Sequence, residues 1–226
     1  MKAMILAAGR GSRMRELTDH CPKPLIKVGG RTLIEHHIER LRTAGMTDIV
    51  INVSYLGEQI MTALGDGARY GVQLRYSVET TALETAGGIR HALPLLGEDP
   101  FWLVNADVWC DIAPDSLGTL DGDMARLVMV DPPEHHRQGD FHLDDAGRLH
   151  EQGATRLAYA GMALMHPSLV LDVPDDTPCP LKPCLIKAMQ QQRLGGYYHK
   201  GQWSDIGTPE RLALLEQQLS HQQNMD

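Results

Sequence analysis

The chain has 226 residues, 42% hydrophobic and 22% charged, which is enough apolar material for a real core and too much for a disordered chain. Acids outnumber bases 29 to 21, and the resulting net charge of −8 argues against nucleic acid as a partner. No apolar run reaches the roughly 18 residues of a membrane helix, and Arg10, Arg13 and Arg15 cut short the leader-like apolar start at 1–8. A cytoplasmic protein that engages neither membrane nor nucleic acid is expected. Cys21, Cys110, Cys179 and Cys184 are scattered, with no C-x-x-C pair and no matching histidine array, so free thiols are expected and zinc is not.

Apolar runs alternate with helical patterns, which predicts an α/β fold with a largely parallel sheet, in a single domain over 1–226. Residues 2–8 read as a buried strand. Over 32–44 the pattern is helical: Ile34, Ile38 and Leu41 share a face, Thr32 and Glu35 form a capping box, and Gly45 ends the helix. Strands follow at 48–53, 74–78 and 101–105, with helices at 58–64 and 86–96 between them. The second half is more broken, with strands at 127–130 and 158–165 around a polar loop at 132–137. A helix is expected at 185–192 and an extended piece at 203–206. Thr208 then caps a last helix, with Pro209 at its first position and Leu212, Leu215 and Leu219 along one face.

The most informative segment is Leu6-Ala7-Ala8-Gly9-Arg10-Gly11-Ser12-Arg13-Met14. A strand runs straight into a loop whose glycines let backbone N–H groups approach a phosphate, while small Ala7 and Ala8 leave room for a flat base. It is neither a Walker A loop nor a dinucleotide fingerprint, because Met14 stands where the third glycine belongs. Six bases (Arg10, Arg13, Arg15, Lys23, Lys27, Arg31) against two acids (Glu16, Asp19) make 10–31 a local +4 inside an acidic chain. Such an island suits a polyphosphate, with a solvated surface loop as the alternative. Pro22 and Pro24 stiffen the backbone on both sides of Lys23.

Asp107 and Asp205 are expected to close two later strands, at the sheet edge where ligands of open α/β folds bind. Either one alone reads as a turn or cap residue. Together, facing phosphates, two carboxylates call for a hard cation such as Mg²⁺.

These segments, together with P-K-P-L at 22–25, N-A-D at 105–107 and W-S-D-I-G-T at 203–208, resemble the sugar-1-phosphate nucleotidylyltransferase family over nearly the whole chain. The resemblance implies a Rossmann-like nucleotidyltransferase fold with a mostly parallel central sheet flanked by helices. The β-helix domain that many relatives add is not expected. It also implies Mg²⁺-dependent transfer of a nucleotidyl group from a nucleoside triphosphate, UTP favoured, to a sugar 1-phosphate, by a chain expected to be a monomer. By the same resemblance Ala8 and Gly9 contact the base, Gly88 reads it through its main chain, and Gly11, Ser12 and Arg13 hold the triphosphate. Lys23 lies near the reacting phosphorus, Asp107 and Asp205 ligate Mg²⁺, Asn105 lies close to the sugar, and Gly139, Asp140 and Gly161 line the sugar pocket.

Glu151-Gln152-Gly153 and Leu181-Lys182-Pro183 depart from glucose-type members, which makes Lys182 a candidate contact for an anionic sugar, of which a muramic lactyl carboxylate is one. An exposed helix-start lysine is the plainer reading of Lys182, and a solvated loop pair that of His135 and His136. A small relative making GDP-mannose or CDP-choline shares the mechanism. A nucleotide sensor without turnover would need fewer of Arg13, Lys23, Asp107 and Asp205.

Overall fold

The apolar N-terminal run forms strand β1 (Lys2–Leu6), at the centre of a nine-stranded sheet in the computed structural model, which describes residues 1–223. In chain order there follow β2 (Lys27–Val28), β3 (Arg31–Thr32), α1 (Leu33–Thr43), β4 (Asp48–Val53), α2 (Gly57–Leu64), β5 (Gln73–Val78), α3 (Glu84–Leu96), β6 (Phe101–Asn105) and β7 (Val108–Cys110). The second half adds β8 (Ala125–Val130), β9 (Phe141–Leu143), β10 (Leu149–His150), β11 (Arg156–Met165), α4 (Leu181–Gln190), β12 (Leu194–Tyr198), β13 (Trp203–Asp205) and α5 (Pro209–Gln223).

The expected parallel sheet forms the centre, β6-β1-β4-β5, with all four carboxyl ends at one edge. Such strands are buried on both faces, and the side-chain period of two sorts their residues between two layers. Ala3 and Ile5 pack with Ile34 and Ile38 of α1 and Ile60 of α2, whereas Met4 packs with Ile89 of α3 and Leu185 of α4. Antiparallel β11 pairs with β6 and also with β8 and β9, and β12 adds in parallel to β8. Apart from this sheet, β7 and β13 form an antiparallel ribbon in which Asp205 faces Val108.

Local chemistry accounts for the helix ends. Glu35 N–H donates to Thr32 Oγ1 at 3.3 Å and Thr32 N–H to Glu35 Oε2 at 2.9 Å, the reciprocal pair expected for α1. Arg211 N–H donates to Thr208 Oγ1 at 3.4 Å above Pro209, the first residue of α5. Helix α4 begins at Leu181 rather than 185, because Pro180 precedes it and Pro183 falls in the first turn, where a missing N–H is tolerated. Strand β12 departs from expectation, since Gly195 and Gly196 interrupt its apolar pattern. Glycine is needed there because a Cβ on Gly196 would lie 2.7 Å from Leu143 and 2.9 Å from Leu149. Among the described residues no helix is long and apolar enough to cross a membrane.

Candidate active site

The parallel strands deliver their carboxyl-terminal residues to one cleft of about 230 Å³. Ala7, Ala8, Gly9 and Gly11 after β1 form one wall, and Asn105 at the end of β6 with Ala106 and Asp107 after it form another. Between Asn105 and β7 the chain turns, so Asp107 sits in a turn and does not end a strand as expected. Lys23 enters from a short 3-10 segment, Lys23–Leu25, framed by the two prolines. Its ammonium lies 2.7 Å from Asp107 Oδ2, and the residue is only 6% exposed. Gly11, in the left-handed region at φ 67°, makes room for it: a Cβ there would stand 3.1 Å from Lys23 Cβ and Cδ.

Asp205, on β13, stands outside the residues that line the cleft and is joined to them through Asp107. Ile206 N–H donates to the Asp107 carbonyl at 2.7 Å, which ties the two acidic residues' backbones together. The Asp205 carboxylate accepts from Arg211 Nη1 of α5, and His135 Nε2 lies 3.5 Å from its other oxygen. Both carboxylates thus already face a cation. Two hard oxygen donors on neighbouring backbones are a suitable pair for Mg²⁺.

Ser12 and Arg13 stand at the exposed start of a 3-10 segment, Ser12–Thr18. The Arg13 guanidinium lies beside Gly207, 3.4 Å from where a Cβ would be, near the Asp205 carboxylate and outside the residues that line the cleft. Arg10 stacks 5.2 Å from the Tyr55 ring centroid, and Tyr55 Oη donates to the Asp19 carbonyl at 3.1 Å, so the basic loop is docked.

The remaining expected site residues are more dispersed. Gly161 lies at φ 76° on the irregularity of β11, where a Cβ would be 2.8 Å from Asn105 Nδ2, so it backs Asn105. Gly88 is not in a turn on the cleft wall. It is buried inside α3, where a Cβ would stand 2.6 Å from Glu79 Oε1 and 2.8 Å from Asn52 Nδ2. Gly139 sits at φ 61° with its Cα pressed to the Arg156–Leu157 backbone. Asp140 points into this scaffold: Oδ2 accepts from Tyr159 N–H at 2.8 Å, and Oδ1 lies 3.1 Å from His136 Nε2. Lys182 is exposed in the first turn of α4, outside the residues that line the cleft.

Sequence reasoning missed the polar floor behind the glycine loop. Ala7 N–H donates to Asn52 Oδ1 at 2.8 Å, and Asn52 Nδ2 donates to Glu79 Oε1 at 2.7 Å. Leu83 N–H donates to Glu79 Oε2 at 2.9 Å. Asn52 and Glu79 are 2% and 4% exposed, and both line the cleft. A signal was present: Asn52 is the one polar residue in the apolar run 49–53, and Glu79 follows the next strand directly. A carboxylate accepts only, so Glu79 fixes which way the Asn52 amide points.

The nucleotidyl transferase family model matches residues 2–141. The chain is 47% identical to the N-acetylmuramate alpha-1-phosphate uridylyltransferase of Neisseria meningitidis, across 94% of this chain and 95% of that protein. It is 33% identical to the protein of the same name from Caulobacter vibrioides, across 96% of each. A glucose-1-phosphate thymidylyltransferase structure from Bacillus anthracis superposes with a TM-score of 0.85, at 21% identity, covering 97% of this chain and 95% of that one, which shows a shared fold. With its glycine loop and two acidic residues set at the carboxyl edge of a parallel sheet, the chain belongs to the nucleotidyl transferase family and is a sugar-1-phosphate nucleotidyltransferase.

Proposed function

We propose that the chain transfers the uridylyl group of UTP to N-acetylmuramic acid 1-phosphate, giving the UDP-sugar and pyrophosphate, and that it acts in the cytoplasm in cell-wall recycling. The acceptor and base are carried by the 47% identity, over almost both full lengths, to a uridylyltransferase of that specificity. The observation that carries the mechanism is the Lys23–Asp107 pair at 2.7 Å between the glycine loop and the end of β6.

A sugar phosphate, with a second pKa near ~6, is already an anionic nucleophile at neutral pH, so no general base is required. Its oxygen forms a bond to the α-phosphorus of UTP as the bond to the β-phosphate oxygen breaks. The obstacle is bringing two anions together. Lys23 offsets charge beside the α-phosphate, Arg13 and the N–H groups of the glycine loop hold the triphosphate, and Asn105 positions the sugar. The Asn52–Glu79 floor keeps the start of that loop in place. Mg²⁺, held by Asp107 and Asp205, would supply further charge neutralisation on the phosphates.

The test is pyrophosphate release with UTP and N-acetylmuramic acid 1-phosphate against the N-acetylglucosamine, glucose and mannose 1-phosphates. GTP, CTP and dTTP are run in parallel, each with and without chelator. Preference for UTP with the muramic acceptor, abolished by chelation, is the expected outcome. Turnover only with another pair overturns the specificity, and nucleotide binding without turnover overturns the enzymatic reading.

A further inference from the structure

Three donor side chains meet at the far end of the β7–β13 ribbon, away from the cleft. Cys110 Sγ, a carboxylate oxygen of Asp111 and a ring nitrogen of His199 all lie within 4.8 Å of one another, and His199 Nε2 is 2.7 Å from Asp111 Oδ1. We propose that Cys110, Asp111 and His199 form a site for a zinc-type divalent transition ion, separate from the Asp107 and Asp205 pair. Histidine and cysteine stand 89 positions apart, so no ligand spacing betrays the group in the sequence.

The backbone holds the three in place. Cys110 pairs with Trp203 across the ribbon, Asp111 N–H donates to the Gln202 carbonyl at 3.1 Å, and His199 N–H donates to the Met129 carbonyl at 2.8 Å. The turn between them passes over the donors at Gly201, where a Cβ would stand 2.5 Å from Asp111 Oδ1 and 2.7 Å from His199 Nε2. A side chain there would occupy the space between the donors.

Donor chemistry selects the ion. Thiolate, imidazole and carboxylate are the ligands of zinc, and three from the protein leave a fourth position for water. Mg²⁺ demands oxygen and is not served by this set. Burial pushes the Cys110 thiol up to about 11, so the free group keeps its proton at neutral pH. Binding therefore releases that proton to solvent, and sulfur coordinates as thiolate. Arg40 acts on both Cys110 and Asp111. With one thiolate and one carboxylate around it, a doubly charged ion leaves the filled site neutral, so the filled site does not repel Arg40. The ion would clamp the ribbon whose other end carries Asp205, beside Asp107.

The test titrates the metal-free full chain with Co²⁺ in excess Mg²⁺, which occupies hard-oxygen sites. A thiolate-to-cobalt absorption band that saturates and is displaced by Zn²⁺ is expected. Cys110→Ser loses the band, and His199→Gln weakens Co²⁺ binding by roughly tenfold or more. Cys179→Ser and Cys184→Ser leave the band unchanged. Should Cys110→Ser fail to fold, His199→Gln tests the same site through the loss of cobalt affinity. Absence of the band in the wild type, its survival in folded Cys110→Ser, or an unchanged Co²⁺ affinity in His199→Gln overturns the site. None of these readings depends on turnover, so they stand apart from the outcome for the catalytic reading.

Discussion

Lys23 Nζ and Asp107 Oδ2 are 2.7 Å apart although 84 residues separate them in the chain. The ammonium is buried and the carboxylate is partly open to the cleft, with side-chain exposures of 7% and 37%. A buried charge with one partner at a cleft mouth is positioned for a substrate that can share or displace that partner.

Lys23→Ala and Asp107→Asn are therefore expected to lower kcat by about 10²–10³, the scale for one preorganised charge stabiliser. Steady-state pyrophosphate release measures it, and near-normal turnover in either variant removes these residues from the reaction. Asp107→Asn is also expected to weaken the dependence on Mg²⁺.

Removing the polar floor acts on stability first. Asn52→Ala leaves the Ala7 N–H and the Glu79 carboxylate without their partner in a buried setting, at about 1–3 kcal/mol. In a chain of this size that lowers Tm by roughly 2–4 °C per kcal/mol, read by thermal unfolding. Glu79→Gln keeps the shape but offers a donor, so the Asn52 amide loses its fixed orientation. A rise in KM for the nucleotide is expected, with a smaller loss of Tm than in Asn52→Ala.

Gly161→Ala places a Cβ 2.8 Å from Asn105 Nδ2 at a φ of 76°. The backbone strain costs about 1–2 kcal/mol, and the clash moves Asn105 from the cleft wall. KM for the sugar phosphate should rise while KM for the nucleotide stays, and equal effects on both would separate Asn105 from the sugar.

His37 carries a pH prediction. Burial, then the charges of Arg40 and His36, lower its pKa from 6.5 to about 3, and its Nε2 has no hydrogen-bond partner among the described residues. The unfolded chain binds this proton near 6.5 and the folded chain does not. Stability is therefore fully present above about pH 6.5 and falls as the pH drops toward 3, by up to about 1.4 kcal/mol per pH unit. Denaturant unfolding at pH 7, 6, 5 and 4 should show a shallower decline for His37→Leu than for the wild type.

Features with a short sequence range could be read directly. Thr32, Glu35 and Gly45 bound α1 as their spacing implies, and the prolines around Lys23 hold a buried lysine. Long-range partnerships were out of reach. No local pattern joins Asn52 to Glu79 or Lys23 to Asp107, since the order and register of the sheet strands set those contacts. Gly88 reads as a binding glycine only through the family resemblance. In the structure it leaves a gap in α3 that admits Glu79 and Asn52, both of which line the cleft.

Strand β11 has an implication for how the chain is made. It pairs with β6 and also with β8 and β9, so among the described strands it joins the parallel core to the later ones. During synthesis β5-β4-β1-β6 can assemble well before β11 leaves the ribosome, and until then β6 presents an open edge carrying Trp102, Leu103 and Val104. A nascent chain halted in that interval is exposed to edge-to-edge aggregation. It also lacks Asp205, so the two acidic residues of the site come together only after most of the polypeptide has emerged.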